Sequence, residues 1–242
     1  MTRYPATPEE ILPELIQDYK TLFADELVAI LLYGSAARGA YVPKKSDINI
    51  MVVLTVAGIE SISKSFALLK KWQQSSVAIP MIVTQDYITS SVDSFPIEFL
   101  NLKNSYRVLY GPDVLAPLSI PPDMLRLQCE AQIKGKLLHL RGEFLATLGD
   151  SKSIAGLLSA SIPAFVGVFN GLLMLKGATP PLEKREVLHR TAAEYGLDGT
   201  VFDRVLALAE EKDKSGPERI VRLGEQYISE IRKLAFMVDQ LK

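Results

Sequence analysis

Leu31-Leu32-Tyr33-Gly34-Ser35-Ala36-Ala37-Arg38-Gly39 and, after a short polar connector, Ser46-Asp47-Ile48-Asn49-Ile50-Met51-Val52-Val53 decide how this chain is read. The first stretch is an apolar run that ends in a Gly-Ser turn. The second opens on an acidic residue and continues as another apolar run. Gly34 can take backbone angles closed to other residues and lets an anion approach the main chain. Ser35 offers a hydroxyl and a backbone N–H to phosphate oxygens. Side chains alternate along a strand, so positions 47 and 49 share one side of a sheet. Two carboxylates there would grip Mg²⁺, which takes carboxylate oxygens together with substrate phosphates. Asn49 stands where the second of them is expected.

Gly34-Ser35-Ala36-Ala37-Arg38-Gly39, followed by Ser46-Asp47-Ile48-Asn49, resembles the signature of the DNA-polymerase-β-type nucleotidyltransferases. That superfamily includes the minimal and the antibiotic-modifying nucleotidyltransferases. Its pattern is a Gly-Ser turn, about ten residues, then Asp-x-Asp or Asp-x-Glu, with a third carboxylate on a later strand. The match covers the N-terminal part of the chain. The helical remainder resembles, by layout, the C-terminal bundle of some bacterial predicted nucleotidyltransferases. The resemblance implies an α+β fold, a polymerase-β-like mixed sheet with helices followed by an all-α bundle. It implies nucleotide binding by Gly34, Ser35 and Arg38, and a Mg²⁺ or Mn²⁺ ion at Asp47 and Asn49. It also implies transfer of a nucleoside monophosphate from a nucleoside triphosphate to a hydroxyl of a small molecule or a protein.

Each residue also has a plainer reading. Gly34-Ser35 alone could end any strand, and Asp47 alone could cap a turn, where Ser and Asp are favoured by local hydrogen bonds. Arg38 either pairs with phosphate or is a solvated loop cation, and Lys44 and Lys45 read as surface charges. Asn49 has a chemical consequence. A neutral carbonyl replaces a full negative charge, and loss of even an outer partner of a metal costs roughly 10–100-fold in affinity or activity. Phosphate binding by the turn needs no such carboxylate, so binding is expected to outlast efficient transfer. Phe95-Pro96-Ile97-Glu98-Phe99-Leu100-Asn101-Leu102-Lys103 reads as a further strand, on which Glu98 is the candidate general base or third metal ligand. An edge-strand Glu facing solvent is the alternative.

Composition narrows the partners. The net charge is −1, and dividing the chain near residue 118 leaves ten basic and twelve acidic residues before it and seventeen and sixteen after it. Neither part carries the cationic excess of a nucleic-acid binder. Cys129 is the sole cysteine, so neither an intrachain disulfide nor a cysteine zinc cluster can form, and it reads as a small buried hydrophobe. His139 and His189 lack metal-ligand spacing. Pro5, Pro8, Glu9 and Glu10 lack the basic and apolar regions of a secretory signal, so a reducing cytoplasm is the expected compartment. Residues 154–175 contain no charge and are about long enough to cross a bilayer. Their Ser, Pro and Asn content reads instead as a helix buried by its neighbours.

Periodicity places helices at 8–23, 59–74 and 86–92 and strands at 27–33, 47–54, 77–84 and 96–102, with 104–110 ambiguous before Gly111-Pro112. Pro117 and Pro121-Pro122 mark a linker. Five helices follow, near 122–148, 153–176, 181–195, 199–212 and 217–241. The expected domains are therefore 1–118, nucleotidyltransferase-like, and 119–242, a helical bundle that shapes an acceptor pocket or a homo-oligomer interface. Two functions remain open: a transferase with impaired catalysis, or a non-catalytic module that binds a nucleotide or a partner. A stand-alone antitoxin role fits poorly with so long a bundle.

Overall fold

The computed structural model describes residues 4–210 and 215–241. The fold is α+β, with a mixed four-stranded sheet and a set of long helices. It divides into two compact units. One comprises residues up to Val92 together with Leu102–Ser119, and the other comprises Asp93–Asn101 and everything from Ile120 on.

The first unit carries strands β1 (Leu27–Tyr33), β2 (Asn49–Leu54), β3 (Met81–Val83) and β4 (Tyr106–Tyr110) in the order β3-β2-β1-β4. β1 is antiparallel to β2 and to β4, whereas β2 and β3 run parallel. Ala29, Ile30, Leu31 and Leu32 are fully buried, as the unbroken apolar run of a central strand requires. Helices α1 (Leu12–Phe23), α2 (Val56–Glu60), α3 (Phe66–Gln73) and α4 (Gln85–Ser90) complete this unit. Leu12, Leu15, Tyr19 and Phe23 of α1 share a core with Ile30 and Leu32 of β1, Ile50 and Val52 of β2, and Trp72 of α3. Asp18 ties α3 to α1 by accepting from the Trp72 indole at 3.1 Å and pairing with Lys71 at 2.5 Å. Gly111 closes β4 at φ +76°, and a Cβ there would lie 2.1 Å from the Val28 carbonyl, so no other residue fits.

Three expectations need correction here. The stretch 96–102 is not a strand but part of helix α5 (Pro96–Asn104). Pro96 suits a first helical turn, where its missing N–H costs nothing, and Ile97, Phe99, Leu100 and Leu102 are all buried. An apolar run bounded this way cannot be told from a buried strand by period alone. The ambiguous residues 104–110 supply β4 instead. The helix at 59–74 is broken into α2, a 3₁₀ turn at Ile62–Ser65, and α3. The strand at 77–84 shrinks to β3 because Pro80 has no N–H for a ladder, leaving Val77 as an isolated bridge to Ile48.

The second unit holds α6 (Pro122–Ala146), α7 (Ser151–Leu175), α8 (Lys184–Glu194), α9 (Gly199–Ala209) and α10 (Pro217–Asp239). The last two residues of the helix expected at 199–212 lie outside the described residues. α7 is long and apolar enough to cross a membrane by length and composition. Here it is the central helix, packed against the other four. Asp150 caps it by accepting from the Ser153 amide at 2.8 Å. Phe165, Phe169, Phe202 and Tyr227 meet edge-on around its middle, and burial raises the Tyr227 hydroxyl above its ordinary pKa. Cys129 is buried, and its thiol is pushed up to about 12 by that burial and by the charge of Glu98.

Candidate nucleotide site

β1 ends at Tyr33, and the chain turns at once. Gly34 takes φ +74°, a left-handed conformation that costs an L residue roughly 1–2 kcal/mol. Its amide donates to the Ser105 carbonyl at 3.1 Å, and the Ser105 hydroxyl donates back to the Gly34 carbonyl at 3.0 Å. This reciprocal pair fixes the turn to the segment that leads into β4. Ser105 could not be found from the sequence, because the segment around it had no clear period.

Beyond Gly34 the chain makes one compact helical turn. The Arg38 amide reaches the Gly34 carbonyl at 3.4 Å, and the Ala40 amide reaches the Ser35 carbonyl at 2.9 Å. Among the described residues the amides of Ser35, Ala36 and Ala37 have no hydrogen-bond partner. Unclaimed amides at the start of a helical turn are donors for an anion. The connector then tightens around Ser46, whose amide donates to the Val42 carbonyl at 2.8 Å and whose hydroxyl accepts from the Val42 amide at 3.1 Å. Lys44 adopts φ +67° inside that turn. Arg38, Lys44 and Lys45 are exposed, and among the described residues none of the three is paired with a carboxylate.

Asp47 and Asn49 follow. Tyr33 and Asn49 are register partners across β1 and β2, so the start of β2 lies beside the Gly34 turn. A Cβ on Gly34 would stand 3.4 Å from the Asn49 side-chain nitrogen. The sequence expectation that the turn and this strand meet is thus met in space. Asn49 Nδ2 also lies 3.5 Å from the Asp47 carbonyl. Asp47 is exposed, precedes the paired part of β2, and among the described residues has no side-chain partner. Its charge is felt by Tyr41, whose hydroxyl is raised first by burial and then by Glu10 and Asp47. The same hydroxyl donates to the Pro5 carbonyl at 3.3 Å.

The donor set does not fit a two-carboxylate magnesium centre. None of β1 to β4 contains a carboxylate. Among the described residues no three His, Cys, Asp or Glu side chains are grouped to hold a metal. One free carboxylate beside a neutral amide is a poor match for a hard cation that takes several oxygens.

Glu98, expected on a strand of the sheet, belongs to α5 in the helical unit. Its two carboxylate oxygens accept from Gln128 at 2.6 Å and Gln132 at 3.3 Å, both on α6. Gln128 also accepts from the Ile97 amide at 2.7 Å, which satisfies an orphan donor at the start of α5. Asn101 shares the α5 side that meets the bundle, since residues three apart neighbour one another on a helix. It donates to the Gly167 carbonyl at 3.4 Å and accepts from Asn170 at 2.8 Å. Both residues are thus engaged in docking α5.

No family model matches the sequence, and no curated protein matches it. Among solved structures the chain is similar to spectinomycin adenyltransferase from Enterococcus faecialis, solved with ATP and spectinomycin. The TM-score is 0.49 at 13% identity, over 91% of this chain and 99% of that one. At that level no residue role is carried across.

Proposed function

We propose that the sheet unit is a nucleotidyltransferase-like module that binds a nucleoside triphosphate without efficient turnover. One observation carries the binding half of this reading. Among the described residues, three unclaimed amides follow the left-handed Gly34, and three cations without a carboxylate partner, Arg38, Lys44 and Lys45, lie in the same loop before residue 47. Backbone donors and basic side chains held in a short loop suit the polyphosphate of a nucleotide.

The donor set limits the chemistry. In-line transfer of a nucleoside monophosphate to a hydroxyl draws on metal ions to neutralise developing charge and to orient both oxygens. Asp47 offers a single carboxylate, Asn49 offers an amide, and Glu98 is held by Gln128 and Gln132. A non-catalytic role in holding a nucleotide therefore agrees with more of the side chains than transfer to a small molecule or a protein does. Without a resident cation, the phosphate charge falls to Arg38, Lys44 and Lys45. We place the protein in the cytoplasm, in keeping with its single buried thiol.

The test is thermal unfolding with each nucleoside triphosphate, with Mg²⁺, with Mn²⁺ and with a chelator. A ligand at a hundred times its dissociation constant adds about 2.7 kcal/mol of stability. Stabilisation by at least one triphosphate in the chelator is the expected outcome. Stabilisation that requires metal, or none at all, would refute the proposal.

A further inference from the structure

α6 has two apolar faces, and only one of them is used. Leu125, Cys129, Ile133, Leu137 and Leu140 are buried against the bundle. On the other side Met124, Leu127, Ala131, Leu138, Leu145 and Leu148 are exposed, the last three at 70%, 73% and 94%. Their spacing alternates three and four residues once Lys134 and Arg141 are included, which is the a/d period of a coiled-coil seam. From Met124 to Leu145 the seam runs about 32 Å along the helix.

Three further features point outward from it. Gly135 and Gly142 lie inside α6, where each costs roughly 1 kcal/mol relative to Ala, and nothing in this chain stands within 4 Å of a Cβ built on either. Leu148 takes φ +50° just past the helix end, an unfavourable conformation for a leucine that touches water. Phe236 on α10 is 69% exposed and sits one turn before Asp239, the residue that Lys134 reaches at 2.5 Å. Leu138 sits one turn after Lys134, so this ring flanks the seam.

We propose that this face pairs with a second copy of the chain, α6 against α6 in antiparallel orientation about a two-fold axis near residue 136. A parallel pair would set Lys134 against Lys134 and Arg141 against Arg141, whereas the antiparallel register sets each of them against an uncharged residue. Antiparallel helices set each a position opposite a d position, and here a single offset satisfies all of them. Leu127 meets Leu145 of the other copy, Lys134 meets Leu138, and Ala131 meets Arg141, with Met124 level with the residues just past the helix end. Gly135 falls beside the axis, where the two helices approach most closely. Arg141 has no partner in its own chain among the described residues. In the pair it stands level with Glu130 of the other copy, which also holds Arg126 and Lys134 of its own chain, next to the smallest side chain of the seam. Two such seams with the flanking Phe236 rings reach the low end of stable interfaces, roughly 1,000 Å² in total. A dimer that dissociates on dilution follows. The pairing is independent of the nucleotide reading, since no residue is shared.

Sedimentation of the full-length protein across a wide concentration range tests it. The unaltered chain is expected to move from monomer to dimer as concentration rises. Leu145→Glu and Leu127→Lys, both at exposed positions, should each weaken the dimer about tenfold or more while leaving the circular dichroism spectrum and melting temperature in place. The double variant L127K/L145E places Lys opposite Glu twice and should regain dimer, which a parallel pairing would not, because like charges would then face each other. A monomer at every concentration, or a dimer that survives Leu145→Glu, would overturn the interface. A double variant no better than the singles would overturn the antiparallel register.

Discussion

Asp47 and Glu98 are the two carboxylates that a motif reading joins in one site, and the fold gives them unlike surroundings. Among the described residues, Asp47 ends a connector whose charged side chains are unpaired, beside a turn in which the amides of Ser35, Ala36 and Ala37 are unclaimed. Glu98 is held by two glutamines of α6 and helps to seat α5 on the bundle. A carboxylate can serve an external ligand only if its oxygens and its neighbours are not already spoken for. By that standard the groups around Asp47 are free to serve a ligand, and Glu98 is spent on packing.

The largest effect should come from the turn. Gly34→Val forces a β-branched residue into a left-handed conformation and sets its Cβ 3.4 Å from the Asn49 amide. Nucleotide affinity should fall by more than about tenfold, equivalent to about 1.4 kcal/mol, as read by calorimetric titration. An unchanged affinity would detach binding from the turn.

Asn49→Asp comes next. It restores a charge beside Asp47 with little change in size. Mg²⁺-dependent nucleotide binding should then appear and tighten by about tenfold, scaled from the effect of outer metal partners. Asp47→Asn in the same background should remove the gain. If Asn49→Asp leaves titrations with Mg²⁺ unchanged, the start of β2 is not a relic of a metal centre.

Glu98→Gln should separate the two carboxylates. The amide cannot accept from both glutamines as a carboxylate does, so denaturant unfolding should show a loss of about 0.5–1 kcal/mol. Nucleotide affinity should not move. A clear loss of binding would return Glu98 to the site.

The smallest effect concerns acid. Asp198 caps α9, and its carboxyl is held below the usual range by the Thr200 hydroxyl and amide, with bonds of 2.6 and 2.9 Å. A depressed folded pKa means that this contribution is complete above the unfolded carboxylate range and is lost as pH falls through the folded value. Melting temperatures of the unaltered protein should therefore begin to drop below about pH 4. Asp198→Asn, which caps without titrating, should flatten the part of that drop owed to this group.

The sequence made the front of the sheet readable because its signals there are local. An unbroken apolar run, a glycine that must turn, and a second apolar run place β1, the turn and β2 without help from the rest of the chain. Long helices α6, α7 and α10 are equally plain, since length separates them from strands. α5 was misread because its four buried apolar residues satisfy either period, and its identity depends on Gln128 and the bundle beyond it. The misplaced third carboxylate follows from that single error. Ser105, which pins the turn, and the Tyr41 hydroxyl, which reaches Pro5, are not legible in the sequence because their partners lie 71 and 36 residues away. The absence of a second carboxylate is legible from Asn49 itself.

Titration of the unaltered protein with a nucleoside triphosphate, once with Mg²⁺ and once with a chelator, tests the nucleotide reading most directly. If Arg38, Lys44, Lys45 and the turn amides hold the phosphates, affinity should be kept or increased when the chelator strips Mg²⁺ from the nucleotide and leaves it more negative. It should also weaken as salt is raised, because exposed charges are screened. Binding that appears only with Mg²⁺, or no binding in either condition, would contradict it.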